Sequence, residues 1–237
     1  MQSKIKWVVC MAAMMMISGT AHAYKIKSKS ITINKPKERY EVSVSYPVIK
    51  GLKNKDIEAT LNQTMLDWAQ ARITQFDKVI AEMQSEGMGS NLPGENALSI
   101  TFNARVKSDV MLGISWDVYK NFIGNAHPSE VLNPIMYNLE TGKVIALADL
   151  FKPGSHYLKR LSKICTERLN ESFAGSGFTL FEDGLKPTTE NYANFLVRPE
   201  GLYFVFNPYQ VAPYVAGIQE VVIPYPFLQD ILLTKYQ

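Results

Sequence analysis

The stretch LSITFNARVKSDVMLGISWDV, residues 98–118, alternates twice. Leu98, Ile100, Phe102, Ala104 and Val106 take every second place, with Ser99, Thr101, Asn103, Arg105 and Lys107 between them. Past Ser108-Asp109 the series Val110, Leu112, Ile114, Trp116 and Val118 repeats the pattern. Successive side chains of a strand point to opposite faces, so period two means two half-buried strands, and the polar pair between them predicts an antiparallel hairpin.

The flanking segments fit the same architecture. Residues 31–49 read as two strands, the second setting Tyr40, Val42, Val44 and Tyr46 against Glu41, Ser43 and Ser45. From Asn54, a predicted N-cap, Ile57, Leu61, Met65, Trp68, Ile73, Phe76, Ile80 and Met83 keep helical spacing, and Gly87 is placed to end that helix. Residues 85–97, rich in Gly, Ser, Asn and Pro, read as a loop or module junction. Residues 133–139 and 144–147 make a second predicted hairpin about Glu140-Thr141-Gly142-Lys143. After Pro153-Gly154-Ser155 a second helix carries the stripe Leu158, Leu161, Cys165, Leu169 and Phe173. Strands at 195–198, 202–206 and 221–223 and a short helix over 227–233 complete the chain. This order predicts an α+β fold: antiparallel sheets packed by one long N-terminal helix and one helix in the C-terminal half. Two small modules sharing an interface are expected, residues 24–112 and 113–237.

The first 23 residues set the compartment. Lys4 and Lys6 precede an apolar run, residues 7–17, and Ala21 and Ala23 stand in A-x-A register, the pattern of a signal peptide cut after Ala23. The run is short of the roughly 18–20 apolar residues a bilayer span needs, and no later segment reaches that length. The mature chain is expected to be soluble, periplasmic or secreted, with no membrane span. Loss of both leader lysines takes the net charge from +3 to +1, so the clustered basic charge that nucleic acid demands is missing. The mature chain keeps one cysteine, Cys165, whose place on the apolar stripe makes it a small buried hydrophobe rather than a nucleophile.

Signatures of catalysis are sparse. There is no GxSxG, no HExxH, no glycine-rich phosphate loop and no EF-hand pattern, and the mature chain contains no SxxK. Two histidines remain, His127 and His156, too few for most zinc sites without acidic help. A triad of Ser129 or Ser155 with His127 and Asp149 can be drawn on paper, but with so many serines and acids available the combination has little specificity. Asp149, in Ala-Asp-Leu-Phe, fits better as a turn cap. No catalytic residue, cofactor or metal is therefore assigned.

Residues 206–225, FNPYQVAPYVAGIQEVVIPY, hold three Pro-Tyr units: Pro208-Tyr209, Pro213-Tyr214 and Pro224-Tyr225. Proline cannot donate to a ladder, so each unit is expected to end or flank a strand. Tyrosine offers a large apolar face with a polar tip, which suits either packing over a sheet edge or contact with a partner.

Two runs, GNAHPSEVLNPIMYNLETGKVIALADLFKPGSHYLKRL (residues 124–161) and ENYANFLVRPEGLYFVFNPYQVAPYVAGIQEVVIPY (residues 190–225), resemble the extracytoplasmic domain of the RsiV anti-sigma factor family. SVSYPVIKGLKNKDIEATLN, residues 43–62, is similar to the small module that usually precedes that domain, and which also precedes the catalytic domain of certain cell-wall polysaccharide deacetylases. The resemblance implies a binding domain that recognises lysozyme outside the membrane. With a cleavable leader and neither a membrane helix nor an appended deacetylase domain, transmembrane signalling is not expected to carry over. The expected function is an exported binding protein, not an enzyme, whose partner is a lysozyme-like cell-wall hydrolase or a peptidoglycan-type glycan. Its expected contacts are Pro208, Tyr209, Pro213, Tyr214 and His127, with Glu182, Asp183, Glu190, Glu200 and Glu220 available as an acidic patch for a basic partner. The alternatives are a wall-modifying hydrolase acting around His127, or an envelope scaffold.

Overall fold

Asn54 begins the long helix as its sequence predicts. Its side-chain oxygen accepts from the N–H groups of Asp56 and Ile57 at 3.0 and 3.2 Å, satisfying two donors that the first turn leaves open. A computed structural model describes residues 24–87, 92–233 and 235; the expected leader, residues 1–23, lies outside the described residues. In order the elements are β1 (Lys25–Lys35), β2 (Tyr40–Lys50), α1 (Lys55–Ser85), β3 (Asn96–Lys107), β4 (Met111–Asn121), β5 (Ser129–Asn138), α2 (Tyr157–Phe173), β6 (Phe195–Arg198), β7 (Gly201–Phe206) and β8 (Gln219–Ile223). The fold is α+β.

Strands β1 to β5 form one sheet in sequence order, and β6 to β8 a second. The predicted hairpin is β3–β4, with Phe102 opposite Trp116 and Ile100 opposite Val118. One pairing departs from the antiparallel expectation: β2 and β3 run parallel, Val42 beside Leu98. The 31-residue α1 between them is the crossover such a pairing requires.

Leu98 and Ile100 of β3 and Leu112, Ile114 and Trp116 of β4 are fully buried against Leu61, Met65, Ala69 and Phe76 of α1. Trp68 stacks on Trp116 with ring centres 4.3 Å apart. The alternation predicts Val106 on this same face, but a bulge between Ala104 and Val106 shifts the register, and Val106 pairs with Gly113. An extra residue inverts every side chain beyond it. Val106 joins the second core instead.

That second core lies on the other face of β4–β5, where β6–β8 and then α2 are layered. A Cβ on Gly113 would come within 2.9 Å of Leu196 of β6, Met136 of β5 and Val106, so the two sheets meet as closely as backbone allows. All six residues of β7 are buried, as a strand covered on both faces must be. From α2, Leu161, Cys165 and Leu169 enter this core. The expected module boundary after Leu112 falls inside β4, which pairs with β3 on one side and β5 on the other.

Two local expectations fail. Residues 144–147 make a single bridge, Tyr137 with Val144, then a 3-10 turn at Leu147–Leu150 whose start is fixed by Asp149 accepting from the Ala146 N–H at 2.9 Å. At the C-terminus the helix predicted over 227–233 is cut down to a 3-10 turn, Tyr225–Phe227, and a further turn over 228–231 in which the Ile231 and Leu232 N–H groups both donate to the Leu228 carbonyl. The Leu233 N–H then donates to the Leu150 carbonyl and the Lys152 N–H to the Ile231 carbonyl, so long-range pairing ends the turn before it can grow into a helix.

Candidate functional site

The chain leaves β7 through Asn207-Pro208-Tyr209-Gln210. The Gln210 N–H donates to the Asn207 carbonyl at 3.0 Å, closing a turn with proline at its second position and Tyr209 at its third, φ +68°. Proline's fixed φ suits the second position of such a turn, whereas the third normally takes glycine or asparagine. Tyr209 is therefore held in left-handed backbone, a strained state that surrounding structure must enforce.

That enforcement is visible. The Asn207 side chain accepts from the Leu132 N–H at 2.8 Å and donates to the Leu132 carbonyl at 3.0 Å, imitating a strand partner for β5. Gln210 donates to the Asn191 carbonyl at 2.9 Å, and Phe181 N–H donates to the Val211 carbonyl at 2.8 Å. Val211 and Ala212 are buried plugs. Pro213 then caps a 3-10 turn, Tyr214–Ala216.

His127, on the loop between β4 and β5, meets both tyrosines. Its ring stacks on Tyr214 with centres 3.8 Å apart and planes 22° apart, and Tyr209 and Tyr214 rings lie 5.6 Å from each other. Nδ1 lies 2.9 Å from the Pro128 carbonyl, an acceptor only, so Nδ1 carries the proton. Nε2 is then free to accept from the Tyr209 hydroxyl at 3.2 Å, across 82 residues of sequence. The Tyr214 hydroxyl donates to the same Pro128 carbonyl at 3.0 Å. The result is a three-ring ledge in which Tyr214 is half-buried while His127 and Tyr209 are exposed, Tyr209 by 59%. Val215 beside it is 78% exposed.

The structure thus brings together all five residues expected as contacts: Pro208 and Pro213 set the backbone, and Tyr209, Tyr214 and His127 form the surface. Tyr225 is different in kind. Its hydroxyl donates to the Arg198 carbonyl, and its ring packs against the second core. The acidic residues divide. Glu182 and Asp183 share an open depression with Phe181, Tyr209 and Gln210, whereas Glu200 sits beside Arg198 and Glu220 lines a separate recess with Arg168 and Glu171. Lys186, bonded to the Asp183 carboxylate, holds that group below the usual carboxylate range.

Sequence reasoning missed Asn207, Gln210 and Gly184. A Cβ on Gly184 would lie 1.8 Å from the Gln210 carbonyl oxygen, so only glycine lets the 182–185 turn touch the tyrosine loop. An Asn at a strand end is the only local signal any of them gives.

The remaining sequence candidates lie elsewhere. Cys165 is fully buried, and burial pushes its thiol up to about 12, so it packs rather than reacts. Asp149 is occupied as a turn cap. His156 is on the loop that leads into α2, away from His127 in sequence and element. Among the described residues no three His, Cys, Asp or Glu side chains cluster as a metal site would require, and no helix is long and apolar enough to cross a membrane.

Comparison with known proteins matches two stretches of the chain to two family models. Residues 33–130 match a family model described as deacetylase PdaC, and residues 148–226 match one described as a protein of unknown function, DUF3298. The second stretch contains both Tyr209 and Tyr214. The gap between the two matches falls after β5 begins, beyond the boundary expected from sequence. The chain is 24% identical over 257 aligned residues to the peptidoglycan-N-acetylmuramic acid deacetylase PdaC of Bacillus subtilis, covering 98% of this chain but 52% of that protein, so it spans about half of that relative's length. It is 20% identical to the anti-sigma-V factor RsiV of Bacillus subtilis over 86% of this chain and 69% of that one. A crystal structure of a DUF3298 family member from Bacteroides fragilis shares the fold, with a TM-score of 0.63, 16% identity, and coverage of 90% of this chain and 96% of that one.

Proposed function

We propose that this chain is an exported binding protein whose His127–Tyr209–Tyr214 ledge recognises a lysozyme-like cell-wall hydrolase or a peptidoglycan-type glycan, without itself breaking bonds. The observation that carries the reading is Tyr209. An exposed aromatic ring is set on left-handed backbone and braced by hydrogen bonds from three other segments. Folding alone gives no reason to hold a tyrosine there, and strained residues with preorganised rings concentrate at contact sites. The rings present flat faces for stacking on a sugar or for burial under a protein, and Glu182 beside them favours a basic partner, Asp183 being paired with Lys186. The likeness to a peptidoglycan deacetylase and to RsiV supports a partner in the cell wall or acting on it. Periplasm or secretion is the matching location.

Calorimetry of the purified protein against hen lysozyme and against soluble peptidoglycan fragments tests this. One of the two should bind, and Tyr209→Ala or Tyr214→Ala should weaken it by about 2 kcal/mol, roughly thirtyfold, as expected for an aromatic hot spot. Heat from neither titrant, or affinity indifferent to both substitutions, sinks the reading.

The likeness to PdaC, which covers 52% of that protein, raises one alternative, a wall-modifying hydrolase acting around His127. Acetate or fragments released from peptidoglycan by this protein, and lost in His127→Ala, would replace binding with catalysis.

A further inference from the structure

Residues 147–159, LADLFKPGSHYLK, belong to the runs that carry the family resemblance, yet the aromatic ledge makes no use of them. They fold as the 3-10 turn Leu147–Leu150, an extended Phe151 bridged to Leu232, and a tight turn into α2. Between this loop and Pro187 lies a surface pocket of about 400 Å³, within the size range of small-molecule sites. Phe151 and Tyr157 form its aromatic wall, their rings parallel to within 6° at 4.5 Å, and Leu158 and Pro153 extend the apolar lining.

The polar groups around this slot are few and of one sign. Lys152, Ser155, His156 and Lys159 contribute to the lining, and no lining residue is acidic. Lys152 is engaged with the Asp230 carbonyl at 2.8 Å, which leaves Lys159 as the available cation. The Ser155 hydroxyl is buried and has no hydrogen-bond partner among the described residues, where a buried hydroxyl ordinarily has one. Two acidic groups neighbour the loop outside the lining: Asp149, whose carboxylate is held by the Ala146 N–H, and Asp230, whose carboxylate is paired with Arg160.

We propose that this pocket binds a small amphiphilic anion, its apolar group lying against Phe151, Tyr157 and Leu158 and its anionic head taking the Ser155 hydroxyl and the Lys159 ammonium. An apolar slot with an orphaned donor and a cation, and no competing carboxylate in its wall, selects that chemistry over a neutral or cationic one. The site is separate from the aromatic ledge, and Tyr209→Ala should leave it unchanged.

Two-dimensional amide NMR of the purified protein, titrated with 2-naphthoate and separately with the neutral 2-naphthylmethanol, tests the assignment. The carboxylate should bind saturably with Kd at or below about 1 mM, with shifts concentrated over residues 148–159 and at Thr188. Lys159→Glu should weaken naphthoate by about fivefold and spare the alcohol, as loss of an exposed charge contact would. Ala148→Trp, at an exposed lining position, should block both probes without disturbing the fold. No binding up to 10 mM on the scale of about −3 kcal/mol, shifts centred elsewhere, or equal affinity for acid and alcohol with no response to Lys159→Glu would each overturn the proposal.

Discussion

Tyr209 and Gly184 show how much of the candidate surface rests on single backbone positions. Because Tyr209 sits at φ +68°, Tyr209→Gly should relieve strain and raise stability by about 0.5–1 kcal/mol, while Tyr209→Ala keeps the strain and gains nothing. Urea unfolding of the two variants checks this, and a Gly variant less stable than the wild type would mean the ring itself supports the fold. Gly184→Ala acts in the opposite sense. With the Gln210 carbonyl oxygen 1.8 Å from the added methyl, the turn must move away, and a loss of about 2 kcal/mol or more is expected together with loss of binding at Tyr209. His127 and Tyr209 stand 82 residues apart and carry no periodic signal, so their hydrogen bond was not legible in the sequence. The Pro-Tyr spacing was legible, because proline's geometry is local.

Among the elements, α1 has its start written most clearly. Asn54→Ala should cost about 1 kcal/mol in thermal or urea unfolding, since two N–H groups lose their acceptor. One turn later Glu58, nearly buried, accepts from Gly51 and Leu52 N–H at 2.6 and 2.8 Å and pairs with Lys55. Burial alone would raise its carboxyl, but the Leu52 N–H, the Lys55 ammonium and the Gly51 N–H together hold it below the usual value. A depressed folded-state pKa gives stability that is present above the unfolded value, about 4.3, and lost as pH falls through the folded one. Glu58→Gln should therefore lower the urea midpoint at pH 7, with the gap from wild type closing as pH drops below about 4. A gap that did not narrow at all as pH fell below about 4 would show that the carboxylate's charge is not what matters. The strands themselves followed from alternation. The bulge at Ala104/Val106 did not, because an inserted residue leaves no compositional mark.

For the whole molecule, the decisive feature is that β4 and β5 serve two cores, α1 on one face and the β6–β8 sheet on the other. Shared strands couple the cores, so thermal unfolding followed by tryptophan fluorescence, which reports Trp68 and Trp116, should coincide with loss of far-UV signal from the whole chain. Gly113→Val should lower both together, by about 3 kcal/mol or more, because it drives atoms into Leu196, Met136 and Val106 at the junction of the sheets. Two separated transitions would mean the modules fold independently.

The sequence by itself determined the α+β class, the two helices, most strands, the Asn54 cap and the burial of Cys165. Each of these follows from a period of 2 or 3.6 or from a residue's own backbone preference, all of them local. The tertiary structure decided which strands pair, that β2 and β3 are parallel, and that one sheet carries both cores. It also decided that His127 stacks on Tyr214 and bonds the Tyr209 hydroxyl, two tyrosines at least 82 residues further along the chain. Those outcomes depend on which buried donors and apolar faces find partners across long separations, a competition that neighbouring residues do not record.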